Sequence, residues 1–327
     1  MGKKIKVIII SIIISLLIFY AIIQIGIKLN PSKPKNNNSI KIVTTIFPYY
    51  DFARAVVGNN ENIHLLIKPG GEIHSYEPTP ADIIEIQKAD VFIYNGGEND
   101  AWVDEILKTI DTSNLTIIKM MDYVEVIEED SEFIYTENEE HHEHEHHHHD
   151  DEIGYDEHIW TSPKNSIKLV KIIYEKLISI DEKNKEIYET NSKNYIQEIE
   201  KIDNEIQQIV DNSKTKLLIF GDRFPFRYFV EQYGLKYRAA FSGCSSETEP
   251  SASTVAKLIS EIKQNNIPVV LYIELSSKKV ANTLAEETGT KIMCLQSCQS
   301  ISKEKFDNGK TYVSIMKENI ETLKIAL

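Results

Sequence analysis

From Ile40 onward, short apolar runs rich in β-branched residues alternate with stretches of helical periodicity. The runs fall at Ile40–Ile46, Ile63–Lys68, Val91–Tyr94 and Leu115–Ile118, and helical spacing fills Tyr50–Val57, Ala81–Lys88 and Trp102–Ile110. A second series places runs at Leu217–Phe220, Val269–Ile273 and Lys291–Leu295. Its helices fall at Pro225–Tyr233, Ser251–Asn265, Lys278–Glu287 and Thr311–Leu327. Strand followed by helix, repeated, makes parallel sheets with helices on both faces. Two such series make two α/β lobes. Between them, Ser162 can cap a helix that carries Pro163 at its first position. Ile167, Val170, Tyr174 and Leu177 give that helix one apolar face. A second long stripe follows through Ile187, Asn191, Tyr195, Ile199, Ile202, Ile206 and Ile209. The expected domains are an N-terminal lobe over 40–162, a connecting helix over 163–182 and a C-terminal lobe over 183–327.

Ahead of the body, Val7–Ile27 is apolar and uncharged, and Lys3, Lys4 and Lys6 precede it. About 20 such residues span a bilayer as a helix, and flanking lysines keep that end in the cytoplasm. Residues 1–29 are therefore expected to be a cytoplasmic stub and membrane anchor, and 30–39 a polar tether. A cleaved signal is the alternative, although no small-x-small site follows the run. Both readings export the body. No Cys occurs before Cys244, so no lipid-bearing cysteine lies near the anchor.

The net charge of −14 is local. Between Asp122 and Glu152 lie 14 acids and no Lys or Arg, leaving 36 acids against 36 Lys and Arg elsewhere. A balanced body with one acidic segment argues against nucleic acid as a partner and for a cation-attracting element. Seven of the ten His sit in the same segment, at His141, His142, His144, His146, His147, His148 and His149. The spacing matches His-Glu-x-x-His twice. That motif needs a packed helix, and no apolar residue occurs from Glu137 to Glu152. The stretch from about 128 to 152 is expected to be a disordered loop that binds divalent ions weakly.

Two other His carry sharper chemistry. His74 sits in Gly70-Gly-Glu-Ile-His-Ser-Tyr-Glu-Pro78, a loop after a strand and before a helix, where open α/β sheets bind ligands. His158 lies in Asp156-Glu-His-Ile-Trp160, just ahead of the Ser162 helix start. Neutral imidazoles flanked by carboxylates suit zinc and similar metals. Of the three Cys, Cys294 belongs to an apolar run and is expected to be a buried thiol. Cys244 and Cys298 stand in Ser-rich, loop-like surroundings and are expected to pair as a disulfide.

The order of landmarks over Ile40–Leu327 resembles the zinc/manganese solute-binding proteins of ABC importers. The landmarks include Phe47-Pro48-Tyr49, the loop from Gly71 to Pro80, Tyr94-Asn95-Gly96 and Asp156-x-His-Ile-Trp-x-x-Pro163. Tyr228-Phe229, Tyr233-Gly234-Leu235, Glu249-Pro250-Ser251 and Tyr312-x-x-x-Met316 follow. The resemblance implies two α/β lobes joined by one long helix, with the metal in the cleft between them. His74 and His158 fall on two of the family's metal-binding positions. It also implies zinc as cargo (manganese the alternative), a membrane permease and a separate ATPase as partners, a monomer, and no catalysis. In this family a His-rich loop typically marks the zinc-preferring members.

The departures from the pattern matter. Arg223 stands where the third ligand, a His or a Glu, is usual, and a guanidinium cannot ligate a metal. Leu295-Gln-Ser-Cys-Gln299 stands where a fourth, acidic ligand is usual. Asp222 and Glu274 are the best anionic candidates to complete the shell, and one of them is expected to pair with Arg223 when no metal is bound. The rival readings are an exported zinc hydrolase, which needs an open coordination site beside a positioned acid or base, and a surface adhesin or metal buffer.

Overall fold

The structure, a computed structural model, describes residues 40–73, 75–129, 154–242 and 249–327. The anchor and tether, His74, the seven tract histidines and Cys244 lie outside the described residues.

The first lobe is a sheet of four parallel strands in the order β2-β1-β3-β4. These are β1 (Ile42–Thr44), β2 (Ile63–Leu65), β3 (Val91–Tyr94) and β4 (Thr116–Lys119). Helices α1 (Phe47–Val57), α2 (Pro80–Gln87) and α3 (Ala101–Leu107) connect them. β3 is buried along its whole length, as a central parallel strand covered on both faces must be. α1 ends at Gly58, whose φ of 84° closes the helix in the left-handed region.

Two helices follow, α4 (Pro163–Ile180) and α5 (Lys185–Asp211). Ser162 caps α4 as expected, its hydroxyl accepting from Asn165 N at 3.1 Å, with Pro163 behind it. The stripe on α5 is shifted from the expected one: Ile187 is 54% exposed, whereas Tyr188 beside it is buried. Tyr188 turns inward because its hydroxyl donates to the buried Asp181, 2.8 Å away.

The second sheet is also parallel, in the order β6-β5-β7-β8. Its strands are β5 (Leu217–Phe224), β6 (Lys236–Ser242), β7 (Val269–Tyr272) and β8 (Lys291–Cys294). Helices α6 (Arg227–Tyr233), α7 (Ala252–Gln264), α8 (Lys279–Thr288), α9 (Lys303–Asp307) and α10 (Tyr312–Ala326) complete the lobe. Sequence pattern missed β6, because the Lys236-Tyr-Arg-Ala-Ala stretch mixes charge and small residues at the edge of the sheet. Gly221 lets α8 approach β5, since a Cβ there would lie 2.5 Å from the Ala281 Cα.

One hydrophobic cluster runs from Ile42 and Phe52 through Leu169 and Ile206 to Phe220 and Leu323, so both sheets share a core. Asp51, fully buried on α1, ties the elements together. It pairs with Arg54 at 2.5 Å, accepts from Tyr312 N at 2.9 Å and accepts from the Tyr195 hydroxyl. Among the described residues, no helix is long and apolar enough to cross a membrane.

Candidate metal centre

His158 immediately precedes a short 3-10 turn, Ile159–Thr161, that leads into α4. It is buried, as are its neighbours Asp156 and Glu157. Asp156 Oδ1 accepts from His158 N at 2.8 Å and lies 3.1 Å from His158 Nδ1. A proton on Nδ1 serves that carboxylate and leaves the lone pair on Nε2, the arrangement that orients a metal-binding imidazole. Burial works against charging the ring, but Asp156, Glu157 and Glu129 outweigh it and hold the pKa above its ordinary value. The environment thus favours positive charge at this spot, whether carried by a proton or a cation.

The wall behind His158 is fixed by a polar network. Asn95 Nδ2 donates to Glu157 O at 2.9 Å, and the Tyr49 hydroxyl donates to Asn95 Oδ1. Asn99 donates to the Glu157 carboxylate from its backbone (3.1 Å) and its amide (2.7 Å). Burial raises the Glu157 pKa, and the Asn99 donors pull it part of the way back. Asp100 accepts from Asn95 N at 2.8 Å and Gly96 N at 3.1 Å, yet burial pushes its carboxyl up to about 7. Trp160 Nε1 donates to Ser297 O at 2.8 Å, which pins the His158 segment to the opposite lobe.

Two adjoining cavities lie between the lobes. The first, about 10 Å³, is lined by Asn95, Asp100, Glu157 and His158, and also by Ile73 and Gln299. That is room for about one water-sized sphere. The second, about 60 Å³, is lined by Asp222, Arg223, Glu274 and Ser297, and again by Ile73 and Gln299. Ile73 immediately precedes His74 in the chain. Asp222 and Glu274 are thus brought together in one cavity and His158 in its neighbour. Among the described residues, no three His, Cys, Asp or Glu side chains converge on one point.

Arg223 corrects one expectation, because its partner is neither Asp222 nor Glu274. Its guanidinium reaches Glu72 on the other lobe, 3.4 Å away. Asp222 turns back onto the sheet, accepting from Arg223 N at 2.9 Å and Ile273 N at 3.2 Å. Glu274 is held by the turn after β8: Ser297 N at 2.7 Å, Ser297 Oγ at 2.6 Å and Gln299 N at 3.1 Å. Burial raises the Glu274 pKa, against the pull of the Ser297 donors. Sequence reasoning passed over Glu72, Gln299 and the Asn95–Asp100 support. Glu72 was visible as an acid two residues before His74, but its partner was not.

The cysteines are a second correction. Among the described residues Cys298 is a fully buried thiol and Cys294 is the partly exposed one, the reverse of the expected burial; Cys244, the expected partner of Cys298, lies outside the described residues. The Ser-rich turn wraps inward around Glu274, which takes Cys298 with it at a φ of 61°.

The zinc-uptake complex component A family, described as periplasmic, matches residues 42–326. This chain belongs to that family. The match takes in both sheets and every described helix, so the likeness covers the whole body rather than one lobe. The high-affinity zinc uptake system protein ZnuA of Bacillus subtilis is 36% identical over 296 residues, 90% of each chain. The zinc-binding lipoprotein AdcA of Streptococcus pneumoniae is 32% identical over 290 residues; they are 88% of this chain but only 56% of AdcA. The crystal structure of the Zn(II)-bound ZnuA-like domain of that protein has a TM-score of 0.72 at 31% identity, covering 88% of this chain and 99% of the domain. The metal-dependent lipoprotein YcdH of B. subtilis has a TM-score of 0.73 at 33% identity, covering 88% and 99%. The two-lobe parallel-sheet architecture of this family is the one the alternating pattern led us to expect.

Proposed function

We propose that this chain captures Zn²⁺ between its lobes on the outer side of the membrane and delivers it to an ABC permease driven by a separate ATPase, with Mn²⁺ as a second cargo. Affinity, not turnover, is then its function. The observation that carries the reading is His158: buried, oriented through Nδ1 by Asp156, and bordering a cavity with room for about one water-sized sphere. Family membership supports zinc as the cargo. His74 supplies the second imidazole. Two neutral imidazoles leave a dication uncompensated, and burying unpaired charge is costly, so one carboxylate completes the shell. Glu274 is the better candidate, because three donors hold its carboxylate in place beside Gln299. Residues 7–27 hold the protein to the membrane as a monomer, and the His-rich tract adds weak accessory sites.

Calorimetry on metal-free protein tests this. The parent is expected to bind one zinc tightly, and His158→Ala and His74→Ala each to lose it. Glu274→Ala is expected to weaken binding by about tenfold or more, with Asp222→Ala near the parent. Near-native affinity in both His variants would remove the site.

A further inference from the structure

We infer that Arg223 is a positioning residue for the His74 loop: its ion pair with Glu72 latches the lobes across the mouth of the cleft and slows release of the cargo. This deepens the zinc reading and rests on it for the word cargo, but the latch itself is read from contacts within the protein.

Gly70, Gly71 and Glu72 run directly into Ile73 and His74, and each is fastened to the opposite lobe. Gly70 N donates to Ile301 O at 2.8 Å, the Ser300 hydroxyl donates to Gly71 O at 3.3 Å, and Arg223 Nη2 meets Glu72 Oε2 at 3.4 Å. Two of these fastenings come from the turn that Glu274 organises. The third comes from β5, where the register shifts between Phe220 and Arg223. Consecutive side chains of a strand point to opposite sides, and here they take different tasks: Asp222 back to Ile273 N within its own lobe, Arg223 across to Glu72. The position that the family resemblance gives to a third donor thus carries a charge that grips the loop of another donor. The lobes can part on this side only if the ion pair breaks.

The strength of the grip follows from its exposure. The Arg223 and Glu72 side chains are 28% and 52% exposed, so water and salt weaken the pair without abolishing it. An effect of a fewfold is expected. Arg223→Met keeps the aliphatic stem and removes the charge, and Arg223→Lys keeps a charge. The first readout is hydrogen exchange of the Gly70 amide in metal-free full-length protein, since that amide's bond to Ile301 reports lobe contact directly. At low salt, Arg223→Met is expected to speed Gly70 exchange by about three- to fivefold, and Arg223→Lys to restore most of the protection. Raising the salt is expected to move the parent toward Arg223→Met and leave that variant unchanged, which a purely packing role would not do. The second readout is zinc release into excess chelator, expected to quicken by a similar factor in Arg223→Met.

Equal Gly70 exchange in parent and Arg223→Met overturns the latch, as does a Lys variant that behaves like Met. Unequal exchange with equal zinc release overturns the link to cargo while leaving the contact. If Gly70 behaves as expected but the parent binds no zinc, the latch stands and the zinc reading fails.

Discussion

Asp100 stands behind His158 as a carboxyl that burial pushes up to about 7, in spite of two backbone donors. An unfolded Asp loses its proton near pH 3.9. Between about pH 4 and 7 the folded state therefore holds a proton that the unfolded state has released, and stability falls as pH rises through that window. Asp100→Asn keeps an acceptor for the Asn95 and Gly96 amides and removes the titration. Denaturant unfolding of metal-free parent and variant at pH 5 and pH 8 is expected to show a smaller loss in the variant, by on the order of 1–3 kcal/mol. Parallel pH dependence in the two proteins would show that Asp100 stays ionised. At this scale the sequence was legible where a residue's role is set locally. His158 was found because Asp156 and the Ser162 helix start lie beside it in the chain. The partner of Arg223 was not legible, because Glu72 lies 151 positions away and meets it only once two lobes are assembled. The burial of Cys298 was hidden for a related reason: its Ser-rich surroundings read as a solvated loop, whereas Glu274 folds them inward.

Among the elements, strand-helix alternation gave the architecture, and its failures have physical causes. β6 borders the second sheet on one side only, so its pattern is weaker than that of β3, which reads as an unbroken apolar run. At the start of α5 it is Tyr188, tied to Asp181, that enters the shared core, which is why Ile187 beside it faces solvent while Ile199, Ile202 and Ile206 further along are buried. Close approach between elements is the one packing feature that a single residue type announces, and Gly221 is the instance here. Gly221→Ala would place a methyl against the Ala281 backbone, where no flexible side chain can give way. Overpacking of this kind is expected to cost about 1–3 kcal/mol, read as a lower urea midpoint with an unchanged slope. An unchanged midpoint would mean that α8 slides on β5 without loss.

For the molecule as a whole, the continuous core and the Asp51 junction pack the two lobes into one body, which is expected to unfold as a unit. The acidic, His-rich tract has no apolar residue from Glu139 to Glu152 with which to extend that core. Its flanks are closed by the Glu128–Tyr155 bridge, by Glu129 N to Gly154 O at 2.9 Å, and by the Tyr228 hydroxyl, which binds both Ile127 N and Asp156 O. Excision of residues 139–152 is therefore expected to leave a single unfolding transition in calorimetry. Free zinc at a hundred times its dissociation constant should stabilise parent and excised protein alike, by about 2.7 kcal/mol. Loss of the zinc shift on excision would place the tight site in the tract.

The contact between Trp160 and His158 has an optical consequence. Their rings lie 5.5 Å apart at 64°, in the same buried wall. A protonated imidazole is an efficient quencher of a neighbouring indole, and a zinc ion on the same ring would displace the proton. The chain has only one other tryptophan, Trp102, so replacing that one leaves a single emitter at the cleft. In such a variant the brightness of Trp160 is expected to follow the state of His158, dim when the ring is protonated and brighter when zinc replaces the proton.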